Sequence, residues 1–247
     1  MSTPVQRWRI VYRRGPGASG LAQRDELAAW EAALAATGLP LVTTGGERQR
    51  PRLAAAVQLP VGMTADAEPI EILLMERRTR AEVRAAIETC LPPDHALVDV
   101  HDVWIGAPSL PASVVAADYR VLVEAEPEPV APLRAALEPA VVRLLSADRL
   151  PRERAKADRV VGYDLRPFML DLGVEDDPAG ESGRAVLTMR LRVDPQLGAG
   201  RPDEVVAAVA DAARTGLVIS GGVRIGLGFA DEPPAGTRAD PRSAPAS

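Results

Sequence analysis

The sequence predicts an α+β fold in which the pattern βαββαβ occurs twice in succession. Three observations predict it. Short stretches alternate polar with large apolar residues, four longer ones place apolar residues at helical spacing, and the two kinds follow one another in the same order in each half of the 247 residues.

In residues 6–13, Trp8, Ile10 and Tyr12 fall on one face of a strand. The glycines and Pro16 make 13–20 a loop. Over 22–37 the period turns helical, with Leu27, Trp30 and Leu34 on one stripe and Ala28, Ala32 and Ala35 beside it; Gly38-Leu39-Pro40 ends it. Residues 53–59 and 70–75 are strands around a turn-rich 60–69. Thr79 and Glu82 have the spacing of a capping box, and Val83, Ile87, Cys90 and Leu91 continue a helical stripe that Pro92-Pro93 stops. Residues 96–105 return to strand character.

The second half repeats the order. Residues 119–124 are a strand, and Leu133, Leu137, Val141 and Leu144 stripe a helix over 130–145. A long strand is expected over 159–172 and another over 185–193, around a loop at 175–183. Pro202, Asp203 and Glu204 suit the first turn of a helix whose Val205, Val206 and Val209 face inward. Residues 217–229 close as a strand interrupted by Gly221-Gly222. The whole reads as tandem ferredoxin-like units, 1–108 and 109–230, each an antiparallel sheet covered by helices. Residues 231–247, rich in Pro, Ala, Arg and Asp, read as a disordered tail.

Composition excludes several classes. The chain is 47% hydrophobic and 26% charged, as soluble globular proteins are, and no run approaches the roughly 18 apolar residues of a membrane helix. The basic start, to Arg14, lacks the apolar region of a secretory signal. One cysteine, Cys90, makes no internal disulfide and no cysteine-based zinc or iron–sulfur site, which fits a reducing cytoplasm. With only two histidines, His95 and His101, no metal or other cofactor is expected. Aromatics at 3% leave few base-stacking platforms.

Charge is uneven. Lys156 is the single lysine, and residues 1–52 hold eight arginines against Asp25, Glu26, Glu31 and Glu47, a local balance of +4 in a chain of net −5. Arg7, Arg9, Arg13 and Arg14 join Arg48, Arg50 and Arg52 in one patch if the first two strands lie close, and guanidinium forks suit phosphate; the alternative is a solvated face. Asp99 and His101 alternate on one strand face, with Asp102 next to them, as an oriented base would require, yet no nucleophile accompanies them. Cys90 lies on an apolar stripe as a structural thiol. The run Gly221-Gly222-Val223-Arg224-Ile225-Gly226-Leu227-Gly228 lacks both a following helix and a Walker lysine, so it reads as a bending strand. Asp164 and Arg166 flank Leu165 near Pro167, either as an internal ion pair or as binding groups.

Several ordered segments carry a family resemblance. They are an opening strand at 9–14, Ala35-Ala36-Thr37-Gly38-Leu39-Pro40, Pro51-Arg52 through Leu59-Pro60-Val61-Gly62, Ala116-Ala117-Asp118-Tyr119-Arg120-Val121, Tyr163-Asp164-Leu165-Arg166-Pro167, and Arg201-Pro202-Asp203-Glu204-Val205. In their order and spacing, over about 6–229, they resemble the bacterial radical-SAM-linked domain of unknown function (DUF2344 type) in its stand-alone form. The resemblance departs where the family carries histidines: Ala22-Gln23-Arg24-Asp25 and Gly46-Glu47-Arg48-Gln49-Arg50-Pro51-Arg52 have none, while Gly46, Pro51 and Arg52 are kept. The chain also has no CxxxCxxC motif and is not itself a radical-SAM catalyst.

The resemblance implies an accessory, substrate-binding module beside a separate radical-SAM enzyme, in RNA modification or translation-linked processing. Its expected binding residues are Arg9, Arg14, Arg48, Arg50, Arg52, Asp164 and Arg166. The alternatives are a stand-alone RNA-processing enzyme using Asp99 and His101 or Asp164 and Arg166, which must then converge in one cleft, and a protein–protein adaptor with an apolar groove between its halves.

Overall fold

The computed structural model describes residues 4–45, 49–126, 132–156, 159–194 and 196–230. The expected tail at 231–247 lies outside them. In chain order come β1 (Gln6–Arg14), α1 (Gln23–Ala36), β2 (Leu53–Ala55), β3 (Thr64–Leu74), α2 (Arg80–Glu88) and β4 (His95–Val103). A single turn, α3 (Leu110–Ser113), leads to β5 (Val114–Glu126) and α4 (Leu133–Ser146). The chain then forms β6 (Pro151–Lys156), β7 (Arg159–Asp164), β8 (Met169–Asp176), β9 (Arg184–Asp194), β10 (Gly198–Ala199), α5 (Pro202–Ala213) and β11 (Gly216–Phe229).

This is a mixed α/β structure with a nine-stranded sheet and five helices among the described residues. Strands of the first half run β2–β3–β1–β4, all antiparallel, and those of the second run β8–β9–β5–β11, also antiparallel. A short parallel contact, Val223↔Thr64 and Arg224↔Ala65, joins β11 to β3, so one sheet passes through both halves. The β6–β7 hairpin stands apart from it.

Alternation along β1 buries Trp8, Ile10 and Tyr12 against Trp30 and Leu34 of α1 and Val83 and Ile87 of α2, with Ile70, Ile72 and Leu74 of β3 completing that core. Thr79 and Glu82 form the expected capping box at the start of α2. The second core gathers Leu133, Leu137, Val141 and Leu144 of α4 and Val205, Val206 and Val209 of α5 over β5 and β9. Leu59 and Met63, which belong to the first half by sequence, pack into this second core.

The junction is also electrostatic. Arg224 of β11 is fully buried and pairs with Glu68 of β3 through two guanidinium nitrogens. It also donates to the carbonyls of Val57 (3.0 Å) and Gln58 (3.2 Å) and to the Tyr119 hydroxyl (3.4 Å). Burial pushes the Glu68 carboxyl above its ordinary range, although the Arg224 charge opposes it.

Several expectations need correction. The strand expected over 53–59 stops at Ala55, and β3 begins at Thr64, inside the stretch expected to be turns. Pro69 is tolerated within β3 because it lies between the β11 contact at Thr64 and Ala65 and the β2 contact at Ile70–Ile72, where no strand on that edge requires its missing N–H. The long strand expected over 159–172 is two strands, β7 and β8, broken by a helical turn at Arg166–Phe168; β6 pairs with β7 instead. Cys90 lies just beyond α2 and is half-buried rather than sealed in a core.

Candidate binding face of the first half

The odd-numbered residues of β1 face away from the helices. Arg9 stands opposite Glu71 on β3 and His101 on β4, and Ala54 of β2 stands opposite Glu71 from the other side. One carboxylate therefore serves two arginines. Arg9 donates to Glu71 Oε1 through Nε (3.0 Å) and Nη2 (2.8 Å), and Arg7 donates to Oε2 through Nε (2.7 Å). The Arg9 guanidinium also lies 4.6 Å from the centre of the Phe229 ring.

Arg52 is exposed and, among the described residues, has no carboxylate partner. With Arg7, Glu71, Leu53, Ala54, Leu73 and Ile105 it lines a pocket of about 300 Å³ on this face. Three arginines meet one carboxylate here, a local excess of positive charge. Arg7 has a second duty: its two terminal nitrogens donate to the carbonyls of Ala107 (2.9 Å) and Pro108 (2.8 Å), fixing the loop after β4. That loop presents Trp104, which is 77% exposed. The sequence reading missed Trp104. Its signal was a large aromatic residue directly after an alternating strand and before the turn residues Gly106 and Pro108.

The other expected binding residues are placed differently. Arg50 is exposed and 3.4 Å from Glu31, a contact of little energy in water. Arg48 lies outside the described residues. Arg14 is 1% exposed and points into the molecule. It donates to the carbonyls of Ala18, Ser19 and Leu21 and, at 2.8 Å, to Glu26 of α1, so it clamps the loop before that helix. Glu26 also accepts from the Tyr12 hydroxyl at 2.8 Å and lies 3.6 Å from His95 Nε2. Burial would raise its carboxyl, but His95, Tyr12 and Arg14 together hold it below the ordinary range.

Asp164 accepts from the backbone N–H groups of Leu150 (2.7 Å) and Arg166 (3.1 Å). Arg166 donates to the carbonyls of Leu145, Ala147 and Met169, tying the end of α4 to the start of β8. Both serve the chain's own backbone. Asp99 and His101 do meet, 3.1 Å apart, and Arg80 donates to the same carboxyl at 2.7 Å. Asp99 and His101 are on β4 and Asp164 and Arg166 flank the turn between β7 and β8, and among the described residues no hydrogen bond or ion pair joins the two pairs. The glycine run forms β11, with register shifts at Ile219/Gly221, Arg224/Gly226 and Gly228/Phe229, as a bending strand would. Among the described residues no three His, Cys, Asp or Glu side chains are grouped to hold a metal, and no helix is long and apolar enough to cross a membrane.

A cavity of about 910 Å³ lies elsewhere, between the Val57–Met63 loop, the start of α5 and β11. Of its arginines, Arg154 is paired and Arg201 has only an exposed contact of little energy. Arg154 binds Glu204 bidentately at 2.7 Å, and Arg201 lies 3.6 Å from Asp203. Much of the remaining wall is apolar, with Val57, Pro60, Val61, Met63 and Ile219. Volume favours this cleft for a ligand, whereas unpaired charge favours the arginine face.

A family model described as an uncharacterized protein conserved in bacteria (DUF2344) matches residues 7–201. The chain belongs to that family. Pro60, Val61, Gly62, Tyr119, Arg201, Pro202 and Asp203, all within segments on which the expected resemblance rested, line the large cleft. No curated protein matches the chain. Among solved structures, a Cbf5-Nop10-Gar1 complex is similar with a TM-score of 0.49 at 10% identity, over 90% of this chain and 49% of the other. An H/ACA RNP bound to a substrate RNA containing 2'-deoxyuridine is similar with a TM-score of 0.46 at 10% identity, over 89% and 47%. This DUF2344 chain thus spans about half the length of the chains it matches. At these scores and identities the likeness says nothing of what it binds.

Proposed function

We propose that this chain is an accessory module that binds RNA for a separate radical-SAM enzyme. Arg52 and the Arg7–Glu71–Arg9 group form its binding face. The observation that carries the reading is the charge imbalance there: Arg7 and Arg9 share the buried Glu71, and Arg52 is exposed with no carboxylate partner among the described residues. Phosphate contacts by such groups release counterions, so affinity must fall steeply with salt. The radical-SAM partner comes from the family resemblance alone. Each half, 1–108 and 109–230, is taken as a ferredoxin-like unit, supported by the matching strand orders β2–β3–β1–β4 and β8–β9–β5–β11.

The test is binding of single-stranded RNA to the full chain across a salt series, with pull-down from native lysate scored for a radical-SAM partner. Loss of binding or of salt sensitivity in Arg52→Ala supports the face; no RNA affinity at low salt refutes it. A second reading, a protein–protein adaptor, is favoured by the apolar wall of the large cleft, where Val61 and Ile219 are exposed. A lysate partner captured without RNA, and released by Val61→Asp, would select it.

A further inference from the structure

We infer that Trp104 is a stacking platform for an unpaired nucleobase and that Arg52, across the adjoining pocket's lining, takes the neighbouring phosphate. The inference rests on the RNA-binding reading above and specifies its ligand as single-stranded.

Of the three tryptophans, Trp8 and Trp30 are 2% and 1% exposed, whereas Trp104 is 77% exposed. An indole left in water gives up the burial that most large aromatic side chains obtain, and such exposed aromatics concentrate at recognition surfaces. This one is also held in place. The Ala107 N–H donates to the Trp104 carbonyl (2.9 Å), closing a turn whose next two carbonyls, of Ala107 and Pro108, are gripped by Arg7. The ring packs on Gly106 so closely that a Cβ there would come within 2.6 Å of Trp104 Cζ2. Contact with that glycine fixes the ring against the loop while most of its surface stays open. A ring ordered before a ligand arrives loses little entropy on binding.

Ile105, the next residue in the chain, lines the pocket of about 300 Å³ together with Arg52, which has no carboxylate partner among the described residues. Of the nearby acids, Glu71 is paired with Arg7 and Arg9, and Asp102 accepts a hydrogen bond from the neutral Gln6 amide at 3.1 Å. An aromatic platform beside unpaired positive charge is the arrangement that holds single-stranded nucleic acid, because every base offers a π-face and every nucleotide a phosphate. A duplex hides its base faces and is not accommodated.

The test is a titration of the full chain with an oligouridylate of about ten nucleotides, read by tryptophan fluorescence and by anisotropy of labelled RNA. The expected result is partial quenching, confined to the Trp104 share of the emission because Trp8 and Trp30 are buried, and about tenfold weaker binding in Trp104→Ala. Trp104→Phe should restore most of the affinity, and Gly106→Ala should weaken binding by displacing the ring. Salt-dependent RNA binding without quenching, and unchanged in Trp104→Ala, overturns the platform and leaves the arginine face standing. Equal affinity for duplex RNA overturns it too, as does equal quenching by a polyglutamate peptide. Absence of any RNA binding overturns both readings together.

Discussion

Arg14 and Arg52 carry the same charge in the sequence and opposite roles in the structure, and replacing Arg14 with Met separates those roles. The substitution keeps much of the side-chain volume and removes five hydrogen bonds, one of them to Glu26 and the rest to three carbonyls of the loop before α1. Glu26 is 6% exposed and would keep only Tyr12 and His95 near its charge. Breaking one side of a buried ion pair costs about 3–5 kcal/mol. The Ser19 and Leu21 carbonyls are only partly buried, so water can replace the arginine there, whereas the buried Ala18 carbonyl, which accepts two of the five bonds, keeps the loss above the lower end of that range. A loss of about 4 kcal/mol is a large share of a typical total of about 5–15 kcal/mol. Guanidinium chloride unfolding followed by circular dichroism measures it directly, with Arg52→Ala as the reference expected within about 0.5 kcal/mol of wild type. An Arg14→Met protein that loses less than about 1 kcal/mol, and loses RNA affinity instead, would refute the assignment of Arg14 as an internal clamp.

Other outcomes follow from the same contacts. Glu68→Gln should destabilise by about 3–5 kcal/mol because it strands Arg224 in the core, while the double change with Arg224→Met should cost less than the single changes added together; a double-mutant cycle in denaturant measures the difference. Glu26 titrates below its ordinary value of 4.5, so the stability it contributes is complete above pH 4.5 and is lost as pH falls through the depressed folded value. Unfolding free energies taken from pH 6 downward should show this acid limb in the wild type and a shallower one in Glu26→Gln. Thr79→Ala removes the cap of α2 and should cost about 1 kcal/mol in the same assay, with no change in RNA affinity.

Much of the fold could be read from side-chain periodicity, because both cores are built from it. Trp8, Ile10 and Tyr12 alternate into one core, and Leu133, Leu137, Val141 and Leu144 stripe the other. What periodicity could not show was pairing between distant segments. The β3–β11 contact rests on two residue pairs and on a buried ion pair between Glu68 and Arg224, residues 156 positions apart. The break between β7 and β8 escaped notice because Leu165 and Phe168 are apolar and continue the look of a strand, although both are buried at a turn. In the candidate site, the arginine count of residues 1–52 pointed to β1, which carries Arg7, Arg9, Arg13 and Arg14. Alternation then decides the outcome: Arg7 and Arg9 lie on the sheet face away from the helices, where Arg7 is itself buried against Glu71 and Arg52 is the exposed arginine, while Arg14, beyond a register shift in β1 after Tyr12, turns into the core. Trp104 was obscured because the strand expected over 96–105 absorbed it, although Gly106 and Pro108 mark a turn directly after it.

The slope of RNA affinity against salt, compared between wild type and Arg52→Ala, tests the binding face most directly. Each phosphate contact to a single strand contributes about −0.7 to the slope of log affinity on log salt. If the face binds RNA as proposed, the wild type shows a negative slope and Arg52→Ala shows one shallower by about 0.7 with an unchanged unfolding midpoint. Identical slopes, or affinity that does not respond to salt, would contradict it.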